Sequence, residues 1–295
     1  MNYYEESLGA VFVVEGHFMR TAVSALLVIA ALLLAAIAGP SLWLQRNVVD
    51  GPGFTKLAGP LGSNSEFQEG LSALAADQVT GSLDLSPQLN ELAGAIITSA
   101  ARSLHTDPGY EAAWTKTLQR SHELTFNAAG NQNVQGDLKL DIAPLVELVA
   151  ANVSANLGVP LPTPKDVVIS VDQPKVAQAL PLTTKLGGWS GWMVFIAVDL
   201  LVLGMIVARR HALTLILGGA GLAAVALLWL LGSGWVESAL VGMAVGPEVA
   251  QQFGIQLGAL ARASWQGGIT VTFVIAAVMM AAGGAALMLK RRRTT

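Results

Sequence analysis
Cysteine is absent from the 295 residues, which removes disulfides, thiolate metal sites and cysteine nucleophiles in one step. Charge is scarce as well: Asp, Glu, Lys and Arg make up 13% of the chain against 53% hydrophobic residues, where an ordinary soluble domain carries roughly 25% charged residues. With a mean hydropathy of +0.55, that balance points to a membrane protein. The net charge is only -3 and the basic residues sit in short clusters, so no nucleic-acid role is assigned. Also missing are the H-E-x-x-H, G-x-S-x-G and G-x-x-x-x-G-K-[ST] motifs and the dinucleotide-binding glycine fingerprint, the usual anchors of hydrolase and nucleotide chemistry. The histidines, His17, His105, His122 and His211, lie far apart, with none spaced to share one turn of helix around a metal. No catalytic, metal or cofactor residue is assigned on this basis, and a non-enzymatic role is expected.

What the chain has is long apolar runs. A bilayer core about 30 Å thick needs roughly 20 apolar residues as helix, and four stretches qualify: 22–44, 190–208, 212–231 and 269–289. None of them contains Lys or Arg. Arg209 and Arg210 occupy the turn between the second and third runs, and Lys290, Arg291, Arg292 and Arg293 follow the fourth. The positive-inside bias places both clusters in the cytoplasm. By alternation, residues 1–21 are a cytoplasmic segment, 45–188 an extracytoplasmic domain, 232–268 a second outer loop and 290–295 a basic cytoplasmic tail. Trp43, Trp189, Trp192, Trp235 and Trp265 all fall near the expected outer boundary, where an indole buries its ring and keeps its N–H wet. Ala36-Ile37-Ala38 offers an A-x-A cleavage pattern, yet Glu5, Glu6 and Glu15 precede the run with only Arg20 to oppose them. That charge is wrong for a signal peptide, so an uncleaved anchor is expected.

The roughly 140 residues between the first two runs suffice for a domain with its own core. Ser63 with Glu66 reads as a capping box ahead of Phe67, Leu71, Leu74 and Gln78 at helical spacing. Ser86-Pro87 opens a second helix whose stripe is Leu89, Leu92, Ala93, Ile96, Ile97, Ala100 and Leu104. Asp107-Pro108 opens a third, with Tyr110, Trp114, Leu118 and His122 on one face. The period then changes to two: Leu138, Leu140 and Ile142 alternate with Lys139 and Asp141, the pattern of a half-buried strand, which sends Asp137, Lys139 and Asp141 to solvent. Pro144 starts another helix with Leu145, Leu148, Val149 and Val153 inward, and after a Pro160, Pro162, Pro164 linker "VVISV" supplies a second strand. Pro247 begins an amphipathic helix in the outer loop, bearing Val249, Phe253, Leu257 and Leu260, expected to lie on the domain or the membrane surface. Asn152-Val153-Ser154 matches a glycosylation sequon, but lies within an expected helix and is read as chance.

The fold class expected is an all-α membrane protein: four transmembrane helices and a mostly helical extracytoplasmic domain carrying a small β pair. One span, then "FTKLAGPLGSNSEFQEGLSALAADQV", "YEAAWTKTLQRSHELT" and "LDIAPLVELV", then three spans and a basic tail: this order resembles a group of uncharacterised actinobacterial integral membrane proteins. The resemblance covers most of residues 20–290 and implies a plasma-membrane protein with an extracytoplasmic helical domain. It carries over no functional residue.

Inside the spans one ionisable group stands out. Asp199 is ten residues from Trp189 and ten from Arg209, about 15 Å from each end at 1.5 Å per residue, and so near the bilayer midplane. Its insertion costs about 2.5–3.5 kcal/mol, which the surrounding Val, Phe, Ile and Leu residues offset at about 0.3–0.6 each. A proton or ion path needs a second polar group at similar depth, but the midpoints of the other spans are 32–34, 221–223 and 277–280, all apolar or Gly. The carboxyl is therefore expected to donate a hydrogen bond to a backbone carbonyl, made reachable by close helix approach at Gly218, Gly219, Gly221, Gly283 and Gly284, or to meet a polar partner on another polypeptide. Either use is helix association. The functional expectation is an accessory or scaffold protein that binds membrane lipid and other membrane or envelope proteins, or itself. The alternatives are a small transporter or lipid-handling protein using Asp199, and an envelope enzyme with an outer site around Trp114 and His122. His122 is read first as a partly buried residue closing its stripe by bonding to backbone.

Overall fold
The computed structural model describes residues 3–81, 87–130, 138–158, 161, 163, 166–171, 174–241 and 248–292; of these, side chains are described except at 3–18, 87–92, 127–130, 138, 157, 170–171, 174–187, 235–241 and 248–250. The readings of Glu5, Glu6, Glu15, His17, Ser86, Leu89, Leu92, Asp137, the Leu138 side chain, Pro160, Pro162, Pro164, Trp235, Pro247, Val249 and Arg293 lie outside the described residues or side chains. In chain order the described elements are α1 (Tyr3–Leu44), a π-helical turn (Gln45–Val49), α2 (Gly51–Ala58), a 3-10 turn (Gly59–Ser63), α3 (Ser65–Gly81), α4 (Pro87–Arg102), a 3-10 turn (Leu104–Thr106), α5 (Tyr110–Gly130), β1 (Leu138–Asp141), α6 (Ala143–Leu157), β2 (Val168–Val171), α7 (Pro174–Val207), α8 (His211–Val241) and α9 (Glu248–Arg292). They form two compact units, one of residues 1–43, 186–235 and 264–295, the other of residues 44–185 and 236–263.

The first unit is a bundle of apolar helices. Four helical segments, Met19–Val49, Gly188–Val207, His211–Gly234 and Gln251–Arg292, lie wholly or mostly in this unit and are long and apolar enough to cross a membrane. Small residues set their contacts. A Cβ at Gly221 would collide with Leu32 and one at Gly204 with Val28, while a Cβ on Gly219 or Gly283 would press on the Ala276 or Ala212 carbonyl of the neighbouring helix. Ser24 Oγ donates to the Gly204 carbonyl at 2.7 Å across the same contact. Without a hydrophobic drive between helices in lipid, such close backbone approach and interhelical hydrogen bonds are what hold a bundle together.

One joint in this bundle follows directly from sequence. Pro40 lies inside α1 and has no N–H, so the carbonyl four residues back, that of Ala36, loses its helical donor. The Trp229 indole N–H from α8 donates to it instead, at 3.0 Å. Gly39 makes room, since any Cβ there would run into the Trp229 ring. Trp265 packs on the same indole with ring centroids 5.3 Å apart and on Trp43 at 5.9 Å, edge to face, while Trp43 Nε1 donates to Ser264 Oγ at 3.2 Å.

The second unit carries its own core: Phe67, Leu71, Ile97, Leu104, Leu118, Ile142, Leu145, Val149 and Val153 are almost fully buried. Burying each of these side chains contributes about 1.5–3 kcal/mol. α3 is capped by Asn64, whose Oδ1 accepts from the Phe67 N–H at 3.0 Å; the cap is one residue later than the expected Ser63–Glu66 box. Its inward stripe is Phe67, Leu71, Ala75 and Val79, and Gln78 is exposed. On α4, Ile97 and Ala101 face the core, and Ile96, about 100° round the helix from Ile97, is 39% exposed. The 3-10 turn Gly59–Ser63 is held by α5 and α3: from α5, Trp114 Nε1 donates to the Gly59 carbonyl at 3.0 Å and Tyr110 Oη to the Gly62 carbonyl at 2.9 Å, and from α3, Gln68 Nε2 donates to the Gly62 carbonyl at 2.7 Å. Burial raises the Tyr110 phenol above its usual range, which keeps that donor proton in place.

β1 and β2 pair antiparallel, Leu140 opposite Ile169 and Asp141 opposite Val168. The free edge of so short a ribbon needs cover, and α5 supplies it with a hydroxyl stripe. Thr125 Oγ1 accepts from the Lys139 N–H at 3.1 Å; Ser121 Oγ accepts from the Asp141 N–H at 2.9 Å and passes its own proton to the Thr117 carbonyl at 2.6 Å. One further expectation needs correcting. The helix expected after Pro247 and the fourth span are one continuous α9, since no Pro or cap interrupts residues 248–292 and the Gly267-Gly268 pair costs only about 1 kcal/mol per residue. The segment before the second span is also part of α7, which runs on through Pro181. Phe253, Leu257 and Leu260 of α9 pack on the core of the second unit, with Phe253 5.9 Å from Phe67.

Candidate functional site
Asp199 is exposed on α7, among Phe195, Ile196, Val198, Val202, Leu203 and Ile206, which are 43–69% exposed. It has no hydrogen-bond or ion-pair partner among the described residues. The other side of the same helix is the one packed in the bundle: Ser190, Ala197, Gly204 and Ala208 are buried there. The carboxyl thus points away from the chain's own helices, and the expected intrachain bond to a carbonyl beside the glycines is not formed. Gly218, Gly219, Gly221 and Gly283 serve a different end: the first two and Gly283 seat α8 against α9, Gly221 seats α8 against α1, and Gly284 faces open space. Asp199 and these glycines are not brought together.

In the second unit, His122 and Trp114 also part company. Trp114 is 4% exposed and its indole lies edge-on to Phe67 at 5.4 Å, so it belongs to the core. His122 borders a groove of about 540 Å³ lined by Gly51, Pro52, Thr55, Lys56, Gln119, His122 and Glu123. Its ring stacks on Phe126 at 4.4 Å and leans on Phe54 at 5.3 Å. Nε2 lies 3.0 Å from the Val48 carbonyl, and because a carbonyl only accepts, this nitrogen is the donor. Nδ1 faces Gly51, where a Cβ would come within 3.6 Å. The imidazole is therefore fixed by backbone and flanking rings, while Lys56 and Glu123 give the groove one charge of each sign.

The strongest polar cluster is one the sequence pattern hid. Asp141, expected on the solvent face of β1, is fully buried. Its Oδ2 pairs with Arg120 Nε at 2.8 Å, and its Oδ1 accepts from the backbone N–H of Ala143 at 3.0 Å and of Val167 at 3.3 Å. Arg120 also reaches Asp166, at 3.0 Å. Alternation fails here because α5 covers the face that the period-two pattern assigns to water. Asp107 makes a smaller clamp, accepting from the Gly109 N–H at 2.6 Å and from Asn152 Nδ2 at 2.8 Å; the amide of the sequon asparagine is thereby engaged. The signal for the Asp141 cluster was present in the sequence as Thr117, Ser121 and Thr125, small hydroxyl residues at intervals of four facing a strand, with Arg120 beside them.

These carboxylates hold backbone rather than a reaction centre, and among the described residues no three His, Asp or Glu side chains gather where a metal ion could sit. Set against known protein families, curated proteins and solved structures, the chain finds no match.

Proposed function
We propose that the protein is a non-enzymatic, multi-pass plasma-membrane protein that holds or scaffolds another membrane or cell-envelope component, through the exposed faces of its spans and through an extracytoplasmic domain formed by residues 45–188. The resemblance noted in the sequence supports the plasma membrane as its site. One observation carries the reading: an aspartate near the middle of an apolar helix, exposed on the side away from its own bundle and unpartnered among the described residues. A charged or hydrogen-bonding group in that position is costly against lipid and is relieved when another helix brings a partner to it. A transport role would place the carboxyl on the bundle side of α7, with Ala197 and Gly204.

The test is the mass of the native assembly in mild detergent, measured for the wild type and for Asp199→Asn and Asp199→Leu. Asn keeps a hydrogen-bonding side chain and preserves an assembly larger than the 30.6 kDa chain; Leu shifts the protein toward the free chain. An assembly indifferent to both substitutions, or a wild type that is only ever a single chain, removes the basis of the reading.

A further inference from the structure
α7 carries two seams with the spacing of a heptad repeat. Ser190, Val194, Ala197, Leu201, Gly204 and Ala208 follow one another at intervals of four and three; four of them are buried and the other two half-buried in the chain's own bundle. Gly188, Trp192, Phe195, Asp199, Val202 and Ile206 repeat the same four-three spacing on the opposite side of the helix. Every residue of this second seam is exposed: Trp192 67%, Phe195 69%, Val202 43% and Ile206 64%, with Gly188 and Asp199 exposed as well. A Cβ on Gly188 would meet nothing within 4 Å. An apolar seam with one polar residue at a core position is the pattern by which paired helices fix register and partner number.

We infer that this seam is the contact with a second copy of the same chain, two α7 helices crossing side by side about a two-fold axis along the membrane normal. The inference rests on the association reading above and names its partner. Asp199 needs a hydrogen-bonding mate at its own depth, and the level it occupies holds only Leu, Val, Ala, Gly and Met in the other three spans of this chain. A two-fold axis along the normal meets that need by construction, because it sets Asp199 of each copy at the same height on facing seams, whereas a foreign helix has to bring a polar group matched in depth. Closed two-fold pairs are also the commonest arrangement of identical chains. Two bare carboxylates in contact repel, so a proton is held between them: one carboxyl donates its O–H and the other accepts. Trp192 and Phe195 on one side of Asp199, Val202 and Ile206 on the other, close the seam around that bond.

The absence of native cysteine makes the test direct. In the otherwise cysteine-free full-length chain, single substitutions Phe195→Cys, Val202→Cys and Ile206→Cys lie on the seam, Ile196→Cys and Val198→Cys are exposed beside it, and Leu201→Cys faces the bundle. Oxidation in native membranes is expected to give several-fold more disulfide-linked dimer at the seam positions than at the other three. Adding Asp199→Leu to Val202→Cys lowers that yield several-fold, and Asp199→Asn leaves it near the parent value; limited proteolysis of the outer domain checks that each variant is folded. Equal cross-linking at seam and flank, or none at the seam, overturns the inference. If the seam cysteines form no dimer while Asp199→Leu still dissociates the native assembly, the partner is a different chain: the second-copy inference falls and the association reading stands. If Asp199→Leu changes neither, both fall.

Discussion
At the scale of single residues the arrangement around Asp141 decides most. Its carboxylate is out of water, and taking a charge from water is costly unless it is paired and hydrogen-bonded. Here three groups share the compensation: the Arg120 guanidinium, the first N–H of α6 and the N–H of Val167 at the start of β2. One side chain thus fixes the register of the β pair, the entry of α6 and its distance from α5. Asp141→Ala leaves both N–H groups and the inner face of Arg120 without an acceptor, and is expected to cost about 3 kcal/mol or more; Asp141→Asn retains an acceptor oxygen and is expected to cost about half as much. Arg120 keeps Asp166 in either case, and since its side chain is 33% exposed water softens its share of the loss. Pulse proteolysis of the full-length protein across a urea series reads both values; an Asp141→Ala midpoint equal to the wild type would show that the cluster holds nothing. The strand itself was legible from Leu138, Leu140 and Ile142, but the burial of Asp141 was not, because a period of two says which residues share a face and nothing of which faces are covered.

At the scale of elements, the four apolar runs were legible because length and the absence of Lys and Arg are properties of the chain alone. Where α7 and α9 begin was not: α9 runs on into polar sequence with no stop signal, and α7 runs through Pro181, which propensity alone reads as a break. The contact of α1 with α8 is the case where sequence and packing interlock. Pro40 creates an orphan carbonyl at Ala36, Gly39 clears the space, and Trp229 fills it with a donor. In an apolar setting that carbonyl has no water to turn to. Trp229→Phe is therefore expected to destabilise the bundle by about 1–3 kcal/mol. Pro40→Ala restores a helical N–H to Ala36, so in that background Trp229→Phe costs less, with a coupling of about 0.5–1.5 kcal/mol in the double-mutant cycle. Unfolding in mixed SDS micelles measures all four corners. Strict additivity would mean that the ring packs by shape alone and the hydrogen bond contributes nothing.

For the whole molecule, orientation is expected to follow from charge in the shortest connections. Arg209 and Arg210 fill the turn between α7 and α8 and both are exposed; Lys290, Arg291 and Arg292 end α9. An odd number of crossings separates residues 45–188 from each of these clusters, so a cytoplasmic position for the clusters sets the domain on the other side. The Asp199 seam does not depend on which way round the chain sits, but what the domain of residues 45–188 can reach does, because only one side of the membrane offers envelope components. Single cysteines settle the matter in this cysteine-free chain. A membrane-impermeant maleimide applied to intact cells is expected to label Ala73→Cys, exposed on α3, and to spare Thr295→Cys until the membrane is permeabilised. The reverse pattern would turn the molecule over and put its folded domain in the cytoplasm. Replacing Arg209 and Arg210 with Ser alone is expected to leave the labelling unchanged, since the tail cluster still resists crossing; removing both clusters together should yield a mixture of orientations. That graded outcome distinguishes charge-set topology from one imposed by the folding of the domain, for which neither replacement would matter.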